Sequence, residues 1–250
     1  MIEAKKARSP EQIQRAYQTL REQSPWRHEL SSMAHHRILP YATYAPWLND
    51  EHFLSIYNRV KTHTLVDIYR CYELWALAKQ TSDIDGNILE VGVWRGGTGA
   101  VLAEAVRNMS EKKVYLADTF AGVVKAGEKD TNYKGGEHSD TSVDIVNNLM
   151  ASLSIGNTEI LQGIFPEDTQ DKVRGMISML HCDVDVYSST KEIVEWCLPR
   201  LSIGAMLVFD DFGFFGCDGV ATFCEEFRGS AGFRFIHNLN GHAVFVKFSD

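Results

Sequence analysis

At 250 residues with 44% hydrophobic side chains, the chain has enough apolar material for one large α/β domain with an appendage. A formal net charge of −8 excludes nucleic acid as the main partner, because neutralising phosphates needs a basic face. No run of about 18 apolar residues is present, so no membrane span is expected. The opening M-I-E-A-K-K-A-R lacks the apolar stretch of a signal peptide. The five cysteines, Cys71, Cys182, Cys197, Cys217 and Cys224, are scattered and form no C-x-x-C pair, which reads as reduced thiols in a cytoplasmic protein.

Residues 1–85 read as a helical N-terminal extension that caps the acceptor side of the main domain. Between Arg27 and Asn49 the chain carries prolines, aromatics and the pair His35 and His36. Adjacent histidines on an extended chain point opposite ways, so they are not expected to share a metal. From Glu51 to Ala78 apolar residues recur with helical spacing, at Phe53, Leu54, Ile56, Tyr57, Val60, Leu65, Ile68, Tyr69, Tyr72 and Trp75. The aromatic content of this part makes it a candidate interface for a homo-oligomer.

Residues 86–250 alternate strand and helix signals. Strand-like runs cover Asn87–Val93, Lys113–Asp118, Thr158–Gln162, Ile177–Asp183 and Ala205–Asp210. Helical stretches between them include Ser188–Pro199 and Asp218–Arg228. This alternation predicts a mainly parallel sheet with helices on both faces. Two further runs, Phe233–Asn238 and His242–Phe248, flank Asn240-Gly241, a strong hairpin signal. A parallel sheet ending in an antiparallel hairpin is the expected form of a Rossmann-like methyltransferase domain that uses S-adenosylmethionine (SAM), and not the usual ending of a dinucleotide-binding domain. His181 and His237, each in an apolar run, read as hydrogen-bonded core histidines.

The first strand leads into N-I-L-E-V-G-V-W-R-G-G-T-G, residues 87 to 99. Glu90, Gly92 and Gly96 form an E-x-G-x-x-x-G pattern, and a strand running into a helix through such a loop can bring backbone N–H groups to a small ligand. The dinucleotide fingerprint needs its second glycine two residues after the first. Here it comes four later, which points away from NAD and towards SAM. Asp118 closes the second strand, at the neighbouring tip, where an acid can accept both ribose hydroxyls.

The later strands end in acids: Asp183 and Asp185 after the fourth, Asp210 and Asp211 after the fifth. Ligands of open α/β sheets sit beyond the carboxyl ends of the strands, so four carboxylates are aimed at one crevice. Residues two apart on an extended chain face the same way, which pairs Asp183 with Asp185. Like charges held close repel, and a bound cation removes the conflict. All-oxygen ligation favours Mg²⁺, with Mn²⁺ or Ca²⁺ as alternatives, over Zn²⁺. The polar, glycine-rich segment of residues 121–140 has the length of a lid, with Tyr133, Glu137 and His138 as candidate substrate contacts.

The combination E-V-G-V-W-R-G-G, A-D-T-F-A-G, D-V-D-V-Y-S-S-T and V-F-D-D-F resembles the macrocin O-methyltransferase (TylF) family, from about residue 60 to the C-terminus. That resemblance implies methylation of a sugar hydroxyl on a natural-product glycoside, using SAM and a divalent metal, usually Mg²⁺. It implies Asp183, Asp210 and Asp211 as metal ligands and Asp185 as general base, with the roles of Asp183 and Asp185 interchangeable at this stage. It implies SAM contacts at Glu90, Gly92, Trp94, Gly96, Asp118 and Thr119. One departure is visible: where the family often has an apolar residue and a proline after D-T-F-x-G, this chain has Val123, Val124 and Lys125. Three other readings stay open. A catechol or other aromatic diol offers the same chelating oxygens. A nicotinamide oxidoreductase is opposed by the glycine spacing, and a non-catalytic SAM binder by the intact acid cluster.

Overall fold

A computed structural model describes residues 45–250 except 110 and 215, together with residues 9, 11, 12, 14, 15, 26, 27, 34 and 35. Much of the expected N-terminal extension, His36 included, lies outside the described residues. The chain divides into two compact units, Met1–Pro46 and Trp47–Asp250. In the first, Trp26–Arg27 pairs antiparallel with Ala34–His35.

The second unit begins with two helices, α1 (Glu51–Val60) and α2 (Ile68–Gln80). Helical periodicity runs through the break between them, which carries neither glycine nor proline. The break is set by capping: the Asp67 carboxylate accepts from the backbone N–H groups of Tyr69 and Arg70, starting α2 afresh. Asp50 caps α1 by accepting from Phe53 N–H and also accepts from the Trp75 indole, so one side chain joins both helices. Both pack on α3 (Gly97–Ala105), the helix that follows the first strand of the sheet. The division expected between residues 85 and 86 therefore falls inside one compact unit. Phe53, Leu74 and Trp75 bury the surface that holds these helices to the rest.

The sheet has seven strands: β1 (Asn87–Val91), β2 (Val114–Asp118), β3 (Thr158–Gln162), β4 (Ile177–Cys182), β5 (Leu201–Phe209), β6 (Phe233–His237) and β7 (Ala243–Lys247). Their order is β3-β2-β1-β4-β5-β7-β6. The first five are parallel; β7 runs antiparallel to β5, and β6 antiparallel to β7. The expected mainly parallel sheet with a terminal hairpin is thus the observed one. β5 begins four residues before its apolar run, because Leu201 already pairs with Ile177.

Three more helices complete the unit: α4 (Val143–Ser152), α5 (Tyr187–Cys197) and α6 (Asp218–Phe227). Alternation along the central strands sorts residues to two faces. Leu89, Val91, Leu180, Cys182 and Phe209 join Ile193 and Val194 of α5 and Val220 and Phe223 of α6 in one core. Glu90 and His181, paired across β1 and β4, face the other way, with Gly99 of α3 against Glu90. Helices cover both faces, which is why β1 and β4 read as near-continuous apolar runs. His237 departs from its expected place: it is exposed on the edge strand β6, where the outer face meets water. All five cysteines are buried and unpaired. Among the described residues no helix is long and apolar enough to cross a membrane.

Candidate active site

A cavity of about 340 Å³ opens at the carboxyl ends of β1, β2, β4 and β5. Gly92, Trp94, Asp118, Thr119, Asp183, Asp185, Asp210 and Asp211 all line it. Two expected cofactor residues do not. Glu90 is fully buried on the opposite face of the sheet from Val91, its Oε1 2.9 Å from His181 Nδ1. An acid one position before the strand's last residue points away from the crevice. Burial alone would lower the His181 pKa, but the Asp210 and Glu90 carboxylates outweigh it and hold the ring at about 9. Gly96 turns the chain into α3 with φ +87°, and its bare side faces Val146.

The loop after β1 is satisfied from within. The Gly92 N–H donates to the Ala117 carbonyl and the Gly97 N–H to that of His63. The Val93 and Trp94 N–H groups both donate to Asp118 Oδ2, at 2.7 and 2.8 Å, and the Phe120 N–H donates to Oδ1. Asp118 thus organises the loop as well as lining the cavity. Gly92 is required for a different reason: with φ +91°, a Cβ there would stand 1.7 Å from the Asp183 carbonyl oxygen. Its bareness lets β1 and β4 end side by side.

The acids converge. One oxygen each from Asp183, Asp210 and Asp211 lie within 4.8 Å of one another. Burial first, then the neighbouring carboxylates, pushes Asp183 and Asp211 well above the ordinary carboxylate range. Asp210 behaves oppositely. Burial works against its charge, yet His181, His242 and Arg70 outweigh that and hold it far below the usual range. Arg70, on α2, grips Asp210 Oδ2 directly. His242 Nε2 stands 2.8 Å from Oδ1, while His181 Nε2 is further off at 3.5 Å.

Asp185 lines the same cavity as Asp183, but strand alternation is not what brings it there. The strand ends at Cys182, and Asp185 has left-handed backbone with φ +65°, so extended alternation no longer applies. Its N–H donates to Asp211 Oδ2, and its Oδ1 accepts from the Tyr133 hydroxyl at 2.5 Å. Burial raises its pKa, partly countered by that hydrogen bond. With Asp211 and Cys217 it forms a second close group.

Residues 121–140 form a wall of the cavity. Asp130 is buried between α5 and α6, accepting from the Tyr187 N–H at the start of α5 and from Gly127 N–H. Ser189 donates to the Val124 carbonyl, and Lys125 pairs with Glu167 and Glu192. Val123, Val124, Tyr133 and His138 face the cavity; Glu137 instead accepts from Lys134 and Gly135 N–H groups. Arg70, Glu73 and His242 have no role in the sequence pattern, and Tyr133, expected as a substrate contact, donates to Asp185.

The donor set fits a hard divalent cation: three carboxylates, two of them forced towards protonation without a counter-charge. A family model described as Macrocin-O-methyltransferase (TylF) matches residues 58–247. The chain is 26% identical over 199 residues to 8-demethyl-8-(2,3-dimethoxy-alpha-L-rhamnosyl)-tetracenomycin-C 4'-O-methyltransferase of Streptomyces olivaceus, covering 74% of this chain and 75% of the relative. It is 25% identical to demethyldecarbamoylnovobiocin O-methyltransferase of Streptomyces niveus, covering 60% of this chain and 62% of the relative. Among solved structures, the O-methyltransferase NovP superposes with a TM-score of 0.65 at 21% identity, over 75% of this chain and 83% of that one, and shares the Rossmann-like fold.

Proposed function

Because the chain belongs to the macrocin O-methyltransferase (TylF) family, we propose that it transfers the methyl group of SAM to a sugar hydroxyl of a natural-product glycoside, with Mg²⁺ as the metal. The observation that carries this reading is the convergence of Asp183, Asp210 and Asp211 beside a cavity that Gly92, Trp94, Asp118 and Thr119 also line. The two named relatives act on natural products, by their names.

A sugar hydroxyl is a poor nucleophile near neutral pH, since almost none of it is ionised. Asp183, Asp210 and Asp211 would hold the metal, whose chemistry is to lower the pKa of a bound hydroxyl and fix its direction. Asp185 takes the hydroxyl proton, its Oδ1 steadied by Tyr133. Trp94, Asp118 and Thr119 hold the methyl donor, and the wall of residues 121–140 keeps bulk water from the reacting atoms. Methyl transfer needs in-line approach, so positioning alone can supply up to about 7–11 kcal/mol of the barrier.

Calorimetric titration with S-adenosylhomocysteine, with Mg²⁺ and with chelator, tests the cofactor and the metal in one sample. A panel of glycosides and catechols then tests the acceptor. Preferential turnover of a catechol replaces the sugar assignment; turnover undiminished by chelator removes the metal.

A further inference from the structure

Asp210 is held from one helix by two arms. Arg70 reaches its Oδ2 directly. One turn further along α2, Glu73 reaches its Oδ1 through a bridge: Glu73 Oε2 is 2.6 Å from His242 Nδ1, and His242 Nε2 is 2.8 Å from Asp210 Oδ1. His242 is fully buried and Asp210 is 2% exposed. Glu73 also accepts from Asn240 at 2.9 Å and from Asn238, so it ties the turn of the β6–β7 hairpin to α2. Burial opposes its charge, and these hydrogen bonds outweigh that and hold its carboxyl below the usual range.

Neither Glu73 nor His242 lines the cavity; Asp210 does. A carboxylate turns easily about its last torsion, so a ligand oxygen stays aimed only when its partner oxygens are fixed. Outer hydrogen bonds to a metal's ligands do this, and losing one weakens metal binding about 10–100-fold. Glu73 places a further, half-buried carboxylate behind the three that converge at the cavity. We propose that Glu73, acting through His242, is a positioning residue that aims Asp210 at a divalent cation shared with Asp183 and Asp211. This rests on the metal reading above.

Two single-atom-scale changes separate aim from charge. Glu73→Asp keeps the charge and withdraws the carboxylate by one methylene. Glu73→Gln keeps the reach and removes the charge. Binding is read as Mn²⁺ titration followed by electron paramagnetic resonance, and S-adenosylhomocysteine binding by calorimetry serves as the control. The expected result is Mn²⁺ affinity about tenfold weaker in Glu73→Asp, near wild type in Glu73→Gln, and an unchanged S-adenosylhomocysteine affinity in both. Wild-type Mn²⁺ affinity in Glu73→Asp overturns the proposal, as does a loss confined to Glu73→Gln, which would make charge the cause. Absence of Mn²⁺ binding in the wild-type protein is a separate outcome: it removes the metal reading and this inference with it.

Discussion

Replacing Asp183 with Asn asks whether the acid cluster is held under electrostatic load. Its donor oxygens lie within 4.8 Å of one another. Two unit charges at that separation repel by about 3.5 kcal/mol at an effective dielectric near 20. Arg70 compensates Asp210, so the uncompensated pair is Asp183 with Asp211. Burial first, and then this repulsion, favours the protonated forms in the metal-free fold, so both acids stand well above their ordinary range. A carboxyl whose folded pKa exceeds the unfolded value of 3.8 destabilises the fold progressively as pH rises from that value through the folded one, because the unfolded chain releases its proton first. Asp183→Asn removes this contribution. It should therefore gain on wild type as pH rises, by about 1–3 kcal/mol at neutrality, below the full pair repulsion because protonation has already relieved part of it. Denaturant unfolding across a pH series in chelator measures the difference, and the subtraction cancels carboxylates elsewhere. Mg²⁺ at a hundredfold excess over Kd should move the difference back towards wild type by about 2.7 kcal/mol, since wild type gains that binding energy and the variant does not. A variant less stable than wild type by about 1 kcal/mol or more in chelator at neutral pH refutes the reasoning.

Tyr133→Phe removes a hydrogen bond to Asp185. Bonds to charged groups are worth about 1.5–3 kcal/mol, so kcat should fall at least about tenfold while the KM for SAM holds; an unchanged kcat takes Tyr133 out of the reaction. Arg70→Met leaves the buried Asp210 without its cation and should lower stability in chelator by about 3–5 kcal/mol, read by denaturant unfolding; a loss under about 1 kcal/mol means Asp210 is balanced by its histidines alone. Gly92→Ala drives a methyl into the Asp183 carbonyl at φ +91°. It should lower Tm by about 10 °C or more, at roughly 2–4 °C per kcal/mol, and a wild-type melting curve would show that the strand ends can separate freely.

The strands were legible because helices cover both faces of the sheet, which makes β1, β2 and β4 apolar along most of their length. The acids were legible because they follow directly where those runs stop. The departures lie near the strand ends. Asp185 reaches the crevice expected of it, but through left-handed backbone three residues beyond the end of β4 and not through alternation. Glu90 was expected at the cofactor, yet it lies inside β1, and period two turns it from the cavity towards His181.

What stayed hidden has a common cause. Arg70 and Asp210 are 140 positions apart, and Glu73 and His242 are 169 apart. Periodicity reports which face of an element is apolar, and it carries nothing about which polar partner arrives from another element. Arg70 and Glu73 sit on a helix whose sequence reads simply as packing. Yet that helix supplies the guanidinium facing a crowd of carboxylates and the acid behind His242. A chain cut at residue 86, where the change of pattern suggests a boundary, would keep every acid named from the motifs, and His181 and His242, but lose the Arg70 cation that pairs with buried Asp210 and the Glu73 carboxylate behind His242. The helices before the sheet are therefore part of the site's charge balance, and the site is built from both sides of that apparent boundary.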